Sequence, residues 1–416
     1  MRTKLLLTLL ALLAGTVSAS AYDFYSGSLC YDFNDDGTTV CVVNQFLSSP
    51  SYNAGDLPAD LVIPETVTYA GKTYSVTSIG RSAFADCSGL TSVTIPHSLT
   101  SLGDVAFSGC TGLTSVVWNA KTCADVNNDN DVNPFNGMSN IKTFTFGDEV
   151  ERIPAYLCKK LSGLTSVTIP NSVTSIGRSA FDGCTGLTSV TIPNSVLYID
   201  SFAFYETPWL NNQPNGLIYV GLLAYEYKGT MPSGTNIVIK DGTRGIASSA
   251  FCYCSGLTSV TIPNSVTAIG NEAFASCTGL TSVTIPNSVT AIGNEAFASC
   301  SGLTSVNIPN SVTAIGNGAF ASCTGLTSVT IPASVASIGE SVFKDCSSLS
   351  SVYYNATNCA FDGAYVFSNA PLKKIVIGEW VEIIPKFFAV DQKKISSIII
   401  PNSVTTINKN AFEGCI

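Results

Sequence analysis

Short apolar stretches alternate with polar residues along most of the chain, in a pattern that predicts β-strands. In the segment LTSVTI at residues 90–95, the apolar Val93 and Ile95 are separated by polar residues, so one face would be buried and the other wet. Pro96 cannot donate a backbone hydrogen bond and is expected to end the strand. The strand is followed by a second short apolar pair, a glycine and the sequence Ala-Phe-x-x-Cys. The sequence Ala-Phe-x-x-Cys is too short for a stable helix and predicts a tight turn that buries Phe and Cys.

This pattern recurs every 23 residues. Residues 257–279 are repeated at 280–302 with one change, Thr278 to Ser301. Regular copies are marked by a phenylalanine at Phe84, Phe107, Phe181, Phe204, Phe251, Phe274, Phe297, Phe320 and Phe343. Weaker copies have their landmark at Phe135, Cys158, Phe367, Phe388 and Phe412. Such periodicity is the signature of a repeat protein, here with about 14 repeats.

The repeats predict a stacked architecture, because a unit of this size cannot bury its own apolar side chains but a stack of units can. We expect a solenoid at residues 81–416, in which the first strands of successive repeats lie parallel, about 4.8 Å apart. Each repeat would add short turns and a second short strand. Irregular inserts are expected at 117–140, 205–233 and 353–370, and the second contains a predicted β-hairpin from Leu217 to Lys228.

Residues 22–80 are predicted to form an N-terminal β cap. Leu29–Phe33 and Thr38–Val43 flank the sequence Asn-Asp-Asp-Gly at 34–37, which reads as a four-residue hairpin loop. A second hairpin is expected from Thr66 to Thr77, around Ala-Gly-Lys at 70–72.

The repeat pattern L-x-x-V-x-I-P-x-x-V-x-x-I-G-x-x-A-F-x-x-C resembles that of the BspA-like leucine-rich repeat proteins, which are surface or secreted proteins chiefly of bacteria living with animal hosts. The resemblance covers nearly all of the chain after residue 21. It implies a leucine-rich repeat solenoid with a curved parallel sheet, and a role in adhesion to host matrix proteins or to other cells. It implies no catalytic residues. The chain departs from the commoner leucine-rich pattern in placing Asn171, Asn264 and Asn287 behind a proline.

The first 21 residues have the organisation of a signal peptide. Arg2 and Lys4 precede an apolar stretch from Leu5 to Val17, and Ala-Ser-Ala at 19–21 fits a cleavage site. A transmembrane anchor is the alternative, but the apolar stretch is short for one. We therefore expect an exported protein, extracellular or on the cell surface, that is not an integral membrane protein.

The composition argues against several classes of function. Only 12% of residues are charged, and 20 basic against 29 acidic residues give a net charge of −9 without a basic cluster, which argues against nucleic acid as a partner. His97 is the single histidine, which leaves little material for histidine-based catalysis or metal binding. The sequence therefore predicts a protein that is not an enzyme and has no bound cofactor.

The 15 cysteines could indicate disulfides in an exported chain, but most share one repeat position where other copies carry Met138, Leu161 or Thr207. We interpret them as a ladder of buried thiols that pack as small apolar side chains. Zinc is the alternative, but Cys252 and Cys254 lack a second ligand pair. One disulfide is predicted, between Cys30 and Cys41, because a 34–37 loop would place them directly opposite each other in the first hairpin.

A possible calcium loop lies between Asp125 and Asn133, where oxygen-bearing side chains alternate along the chain. Asn130 and Asn136 stand where an EF-hand-like loop needs glycine and a bidentate acid. A solvated loop without metal is the favoured interpretation.

Two functional classes remain. The first is an adhesin-like binding protein for an extracellular protein or glycan, and the second is a structural surface protein that associates with itself end to end, since no C-terminal cap is visible. Because binding hot spots favour large aromatic side chains, ligand contact is predicted at residues concentrated in the inserts: Trp209, Tyr219, Tyr225, Tyr227 and Tyr353. The alternative is that these rings cover an irregular core.

Overall fold

The structure, a computed structural model, describes residues 22–45, 52–53, 55–127, 132–135, 137–361, 365–395 and 398–415. Over these residues the chain forms a β-solenoid of about 14 coils, as the repeats predict. The coils fall into two compact units, each described by itself below. The predicted signal peptide lies outside the described residues.

The first unit consists of the described parts of Met1–Ser195 together with Phe202–Asn212. Its elements are β1 (Phe24–Ser26), β2 (Leu29–Phe33), β3 (Thr39–Val43), β4 (Asp60–Val62), β5 (Thr66–Tyr69), β6 (Lys72–Ile79), β7 (Ser92–Ile95), β8 (Ser101–Leu102), β9 (Ser115–Trp118), β10 (Thr143–Phe146), β11 (Arg152–Ile153), β12 (Ser166–Thr168), β13 (Ser175–Ile176), β14 (Ser189–Thr191) and helix α1 (Pro208–Asn211).

The second unit consists of Val196–Ser201 and the described parts of Gln213–Ile416. Its strands are β15 (Tyr198–Ile199), β16 (Gly216–Val220), β17 (Leu223–Lys228), β18 (Thr235–Val238), β19 (Gly245–Ile246), β20 (Leu257–Thr261), β21 (Ala268–Ile269), β22 (Ser282–Thr284), β23 (Ala291–Ile292), β24 (Ser305–Asn307), β25 (Ala314–Ile315), β26 (Ser328–Ile331), β27 (Ser337–Ile338), β28 (Ser351–Tyr354), β29 (Ala360–Phe361), β30 (Lys374–Ile377), β31 (Ile383–Ile384) and β32 (Thr406–Ile407).

Each regular coil contributes to two parallel sheets. The segment LTSVTI supplies the longer strand, and these strands pair in the orders β4-β7-β9-β10, β12-β14, β18-β20-β22-β24 and β26-β28-β30. The apolar pair before the glycine supplies the short strand, as in the series β17-β19-β21-β23-β25-β27-β29. Equivalent residues of neighbouring repeats lie opposite each other, for example Val260 and Val283. Side chains at the same repeat position therefore form a continuous row along the stack.

The turn Ala-Phe-x-x-Cys forms a third ladder. The backbone N–H groups of Glu272, Phe274 and Ser276 donate to carbonyls of the next coil at 2.7–2.8 Å. Glu272 and Ser276 have left-handed backbone angles, φ 54° and 60°. Such angles cost roughly 1–2 kcal/mol in a residue other than glycine. They are tolerated because they aim successive N–H groups along the stack, where each finds a partner.

The core is a column of phenylalanine rings. Phe274, Phe297 and Phe320 are fully buried, and their neighbouring rings stack 5.1–5.3 Å apart with nearly parallel planes. The landmark predicted at Phe388 is wrong by one residue. Ala389 N–H donates to the next coil at 2.7 Å, as Phe274 N–H does, so Ala389 occupies the phenylalanine position. Phe388 still fills the core, where it meets Tyr354 edge-on at 4.8 Å.

The N-terminal cap contains both predicted hairpins. Strands β2 and β3 pair antiparallel, as do β5 and β6. The solenoid, however, begins earlier than residue 81, because β4 lies within 22–80 and pairs in parallel with β7. The ring of Tyr52 also stacks on Phe84 at 5.8 Å and so adds one place to the aromatic column.

The middle insert contains the predicted hairpin, but its second strand is part of the solenoid. Strands β16 and β17 pair antiparallel, with an irregularity between Ile218 and Tyr219. Strand β17 then pairs in parallel with β19. Tyr227 N–H donates to Ala250 O at 2.7 Å, which is the bond that the phenylalanine position makes in regular coils. One chain segment therefore replaces both the short strand and the turn of a repeat.

Asparagines also form a ladder, although not at the positions behind the proline. The side-chain oxygens of Asn271 and Asn294 accept from the backbone N–H of the equivalent residue one coil later, at 2.9 and 2.8 Å. Asn317 does the same for Glu340 N–H at 2.8 Å. This ladder lies directly after the glycine of each repeat.

Glycines set how closely the coils stack, and one pair allows a direct test. A Cβ at Gly112 would lie 2.8 Å from Leu90 O and still closer to Ser88 O, whereas a Cβ at Gly89, the same repeat position one coil earlier, would have no atom within 4 Å. We expect Gly112→Ala to lower the free energy of unfolding by about 3 kcal/mol, since the backbone must move. Gly89→Ala should leave it unchanged or raise it slightly.

Denaturant unfolding of the two variants, followed by circular dichroism, measures the difference. Equal stability of Gly112→Ala and Gly89→Ala would show that these coils are not in the close contact described.

Candidate binding surface

The longer strands of the second unit have an exposed face with a regular arrangement of side chains. In register across β20, β22 and β24, a column of Ser259, Ser282 and Ser305 runs beside a column of Thr261, Thr284 and Asn307. The valines between them point inward. Strand geometry places successive side chains in a column about 4.8 Å apart. The face offers many hydroxyl groups and no charged side chain on these three strands.

Two of the five predicted contact residues belong to the core. Tyr225 is only 4% exposed, so its ring is not available to a ligand and the prediction is wrong for this residue. Tyr227 is partly buried and packs against the hydrophobic core of the second unit. The alternative interpretation, that rings of the insert cover an irregular core, therefore applies to both.

Three predicted contact residues retain exposed surface. Tyr219 is 37% exposed, and its hydroxyl accepts a hydrogen bond from Lys240 N–H at 2.9 Å. Tyr353 is also 37% exposed and lies opposite Thr330 in the neighbouring strand, so it stands where a regular copy has an outward threonine. Trp209, in α1 of the first unit, is half-buried against Phe204, 4.9 Å between ring centroids. Trp209 belongs to the first unit, whereas Tyr219 and Tyr353 lie on two different strands, β16 and β28, of the second unit.

Two exposed apolar residues of the last coils are not among the predicted contacts. Trp380 is 80% exposed and Ile399 is 82% exposed. Aligning the repeats would have found both, because Trp380 replaces the serine of Pro-Asn-Ser and Ile399 replaces the outward threonine.

The ladder cysteines of the regular coils are buried and structural. In most of these coils the thiol donates to the carbonyl of the phenylalanine one coil earlier, as in Cys300 to Phe274 O at 3.1 Å and Cys323 to Phe297 O at 3.1 Å. Burial raises the pKa of the Cys300 thiol to about 12 from the usual 9.0. Gln392 takes the cysteine position in a later coil and donates its amide to Phe367 O at 2.9 Å. In these coils the side chain at this position adds a hydrogen bond to the apolar packing that the sequence indicated, whereas Met138 and Leu161 supply packing alone.

The predicted disulfide is contradicted by the register of the first hairpin. Cys30 lies opposite Val43, and Cys41 lies opposite Asp32, so the two cysteines are offset by two residues. The loop is two residues longer than expected, because Phe33 pairs with Val40 rather than with Thr38. Both thiols are free. Diagonal neighbours of this kind are about 7–8 Å apart, beyond the usual reach of a disulfide.

Both described ends of the possible calcium loop are held by protein contacts. The Asp125 carboxylate accepts from the Arg152 guanidinium and from Ala155 N–H. The Asn133 side chain accepts from Phe135 N–H and donates to Tyr156 O, each at 3.0 Å. Residues 128–131 lie outside the described part of the chain, so the solvated loop stays the favoured prediction there and calcium binding its alternative.

Neither a metal cluster nor a membrane helix is found in the described ranges. Within these residues, no group of three or more His, Cys, Asp or Glu side chains could hold a metal ion. Across the part of the chain that the structure covers, no helix has both the length and the apolar character needed to cross a membrane. His97 lies at the surface, with its Nε2 atom 3.1 Å from a Glu149 carboxylate oxygen.

Fold and surface together define a leucine-rich repeat β-solenoid with an exposed strand face. The sequence model of the family described as "BspA type Leucine rich repeat region" matches the chain in six copies, at residues 65–160, 151–215, 222–350 and 291–416. The chain therefore belongs to the BspA-type leucine-rich repeat family, as its repeat pattern indicated.

Several crystal structures are similar to this chain. A leucine-rich repeat protein from Bacteroides ovatus is 26% identical over 93% of this chain and 100% of its own, with a TM-score of 0.36. A leucine rich cell surface protein from Faecalibacterium prausnitzii is 24% identical over 85% of this chain and 94% of its own, with a TM-score of 0.32. A leucine-rich repeat protein from Eubacterium ventriosum is 20% identical over 94% of both chains, with a TM-score of 0.40. No functionally curated protein matches the chain.

Proposed function

We propose that the protein is an exported, surface-exposed and non-enzymatic binding protein, adhesin-like in action, that contacts an extracellular protein or glycan. The observation that carries the proposal is the exposed strand face, on which hydroxyl side chains repeat in register from coil to coil. Such a face can form many similar hydrogen bonds with an extended ligand. Membership of the BspA-type family and the signal-peptide pattern of residues 1–21 support it.

Contact is proposed to centre on the exposed side of the middle insert and the adjoining strand face. Tyr219 supplies an aromatic anchor there, held by its bond from Lys240 N–H. Deleting the insert would be a poor test, because β17 pairs with β19 and Tyr225 belongs to the core. Single substitutions of exposed residues are therefore preferable.

The experiment is panning of residues 22–416 over immobilised extracellular matrix proteins and glycans. For whichever of these is bound, Thr284→Arg should reduce affinity at least tenfold, since a long charged side chain would stand in the exposed column. The matched control is Asn287→Arg, which adds the same charge to an exposed turn three residues away. Tyr219→Ala should reduce affinity by a similar factor. Failure of the protein to bind any of the panel, or equal loss in Asn287→Arg, would contradict the proposal.

A further inference from the structure

The exposed threonine column becomes apolar in the last coils of the second unit. Thr330 lies opposite Tyr353, Tyr353 opposite Val376, and Val376 bridges to Ile399. In the coils of β20 to β24 the same column carries Thr261, Thr284 and Asn307. We call Tyr353, Val376 and Ile399 the apolar row.

The strand register also places the apolar row on the solvent side of the sheet. The residues that alternate with it, Val352, Ile375 and Ile377, point into the core. Three adjacent apolar side chains on the outer face are unusual, because scattered single ones are the norm on protein surfaces. Val238, 74% exposed in the same column of β18, is such a single case, since its neighbour Thr261 is polar.

Positive charge accompanies the apolar row. Lys373 and Lys374 are both exposed, and Lys374 lies opposite Ser351, in the serine column beside the row. The Lys374 ammonium group is 5.7 Å from the centre of the Tyr353 ring. Among the described residues, neither lysine has a carboxylate oxygen within 4.0 Å. Within the described residues, no ion pair therefore offsets this charge, although the chain is acidic overall.

An exposed tryptophan follows the same strand. Trp380 lies in the turn after β30, four residues beyond Val376, next to Glu379, which is also exposed. Tryptophan and tyrosine are the side chains most enriched at the energetic centres of protein interfaces. The regular repeats have serine at the Trp380 position, so the change adds apolar area where folding does not require it.

We propose that the apolar row, with Lys373, Lys374 and Trp380, is a docking surface for an acidic polypeptide segment that carries apolar side chains. Aliphatic Val376 and Ile399 match apolar protein side chains, and the lysines complement carboxylates. Two of the three members of the row, Val376 and Ile399, are aliphatic and offer no aromatic ring on which a sugar could stack. The inference rests on the proposed binding function, and it assigns a second surface with its own partner chemistry.

The probe is a set of three synthetic peptides: one alternating glutamate with leucine, one with glutamine in place of glutamate, and one with serine in place of leucine. Binding to residues 22–416 is measured by Trp380 fluorescence, with Trp380→Phe as the control for signal from Trp118 and Trp209. We expect the first peptide to bind at least tenfold more tightly than the other two, and its binding to weaken as salt is raised.

The decisive variant restores the regular repeat sequence by Tyr353→Thr, Val376→Thr and Ile399→Thr together. It should lose at least tenfold in affinity for the first peptide, whereas the matched control Val238→Thr should bind unchanged. Circular dichroism checks that the variant remains folded, and Lys374→Ser alone gives a second test, expected to reduce affinity several-fold.

Equal binding by the restored variant, or equal binding of all three peptides, would overturn the inference. So would self-association that the restored variant abolishes, because the row would then contact a second copy. The proposed function is judged separately by panning and Thr284→Arg, which leave the apolar row intact. Panning that succeeds while the peptides fail would overturn the docking surface alone.

Discussion

Raising the pH above 9 should unfold the protein, with a steep loss of stability between about pH 9 and 12. Burial raises the pKa of the ladder thiols Cys110, Cys184 and Cys346 to about 12 from the usual 9.0, as it does for Cys300. The unfolded chain ionises these thiols near pH 9, whereas the folded chain keeps them protonated. Their stabilising contribution is therefore complete below pH 9 and is lost as the pH rises through the folded-state pKa.

The expected effect is large because the same shift recurs in many coils. One such thiol changes the free energy of unfolding by about 1.4 kcal/mol per pH unit over this interval. Two of them, Cys110 and Cys184, lie in the first unit and two, Cys300 and Cys346, in the second. Each pair changes the unfolding free energy of its own unit by about 3 kcal/mol per pH unit, against a typical total stability of about 5–15 kcal/mol. Two to three pH units should therefore remove most of the stability of each unit.

Denaturant unfolding between pH 8 and 11.5, under reducing conditions without oxygen, measures the effect. The control is the double variant Cys300→Ser and Cys346→Ser, which keeps a hydroxyl donor for the carbonyl of the preceding coil but cannot ionise in this range. Its stability should fall with pH less steeply than that of the native chain, by about 3 kcal/mol per pH unit. A native chain equally stable at pH 8 and pH 11 would contradict the assignment of buried, protonated thiols.

Phe297→Ala should cost about 3–5 kcal/mol of unfolding free energy, the usual range for removing a fully buried ring. Phe297 is 0% exposed and stacks on rings on both sides, at 5.1 Å from Phe274 and 5.3 Å from Phe320. Removing it leaves a cavity and ends two ring contacts, and close packing of identical coils gives the neighbours little freedom to fill the space.

Chemical denaturation checks this result, with Tyr253→Ala as the control. Tyr253 lies in the same type of turn but is 79% exposed, so its replacement should change stability by less than about 0.5 kcal/mol. Since solenoids need not unfold in one step, the midpoint of the least stable transition is the quantity to compare. A similar midpoint for the two variants would show that the ring column does not stabilise these coils.

Most of the fold could be predicted from local sequence because the same pattern of apolar and polar residues occurs in many copies. The alternation in LTSVTI and the 23-residue period were enough to predict parallel strands, a buried Phe position and a buried Cys position. Because the regular copies define the period, a copy that departs from the pattern can still be aligned with them. Cys158 could be placed at the phenylalanine position in this way, and its N–H makes the expected bond to Ala180 O at 2.8 Å.

The same local reasoning failed where hydrogen bonding between elements sets the register. The hairpin loop in the cap was counted too short, and so Cys30 and Cys41 were paired wrongly. The side chain of Asp36 accepts from Thr38 and Thr39 N–H at 2.6 and 2.8 Å, and these bonds hold the longer loop. Nothing in residue type alone separates the two loop lengths.

Some of the predicted contact residues are exposed and others are buried, and again pairing between elements decides which. Tyr219 and Tyr225 are both tyrosines of one hairpin, and only the parallel pairing of β17 with β19 makes Tyr225 a core residue. Tyr353, by contrast, could be placed outward from sequence, because it replaces a threonine within a regular strand. Prediction of exposure succeeded where the repeat was intact.

The sequence by itself determined the period, the strand pattern and the identity of the core rows, since these follow from side-chain polarity within one repeat. Only the tertiary structure decided how the coils are joined: the left-handed turn residues, and the hydrogen bonds that the thiols and the asparagines make from coil to coil. Each of these depends on which atoms of one coil face the next. A hydrogen bond of that kind exists only once residues about 23 apart are brought side by side.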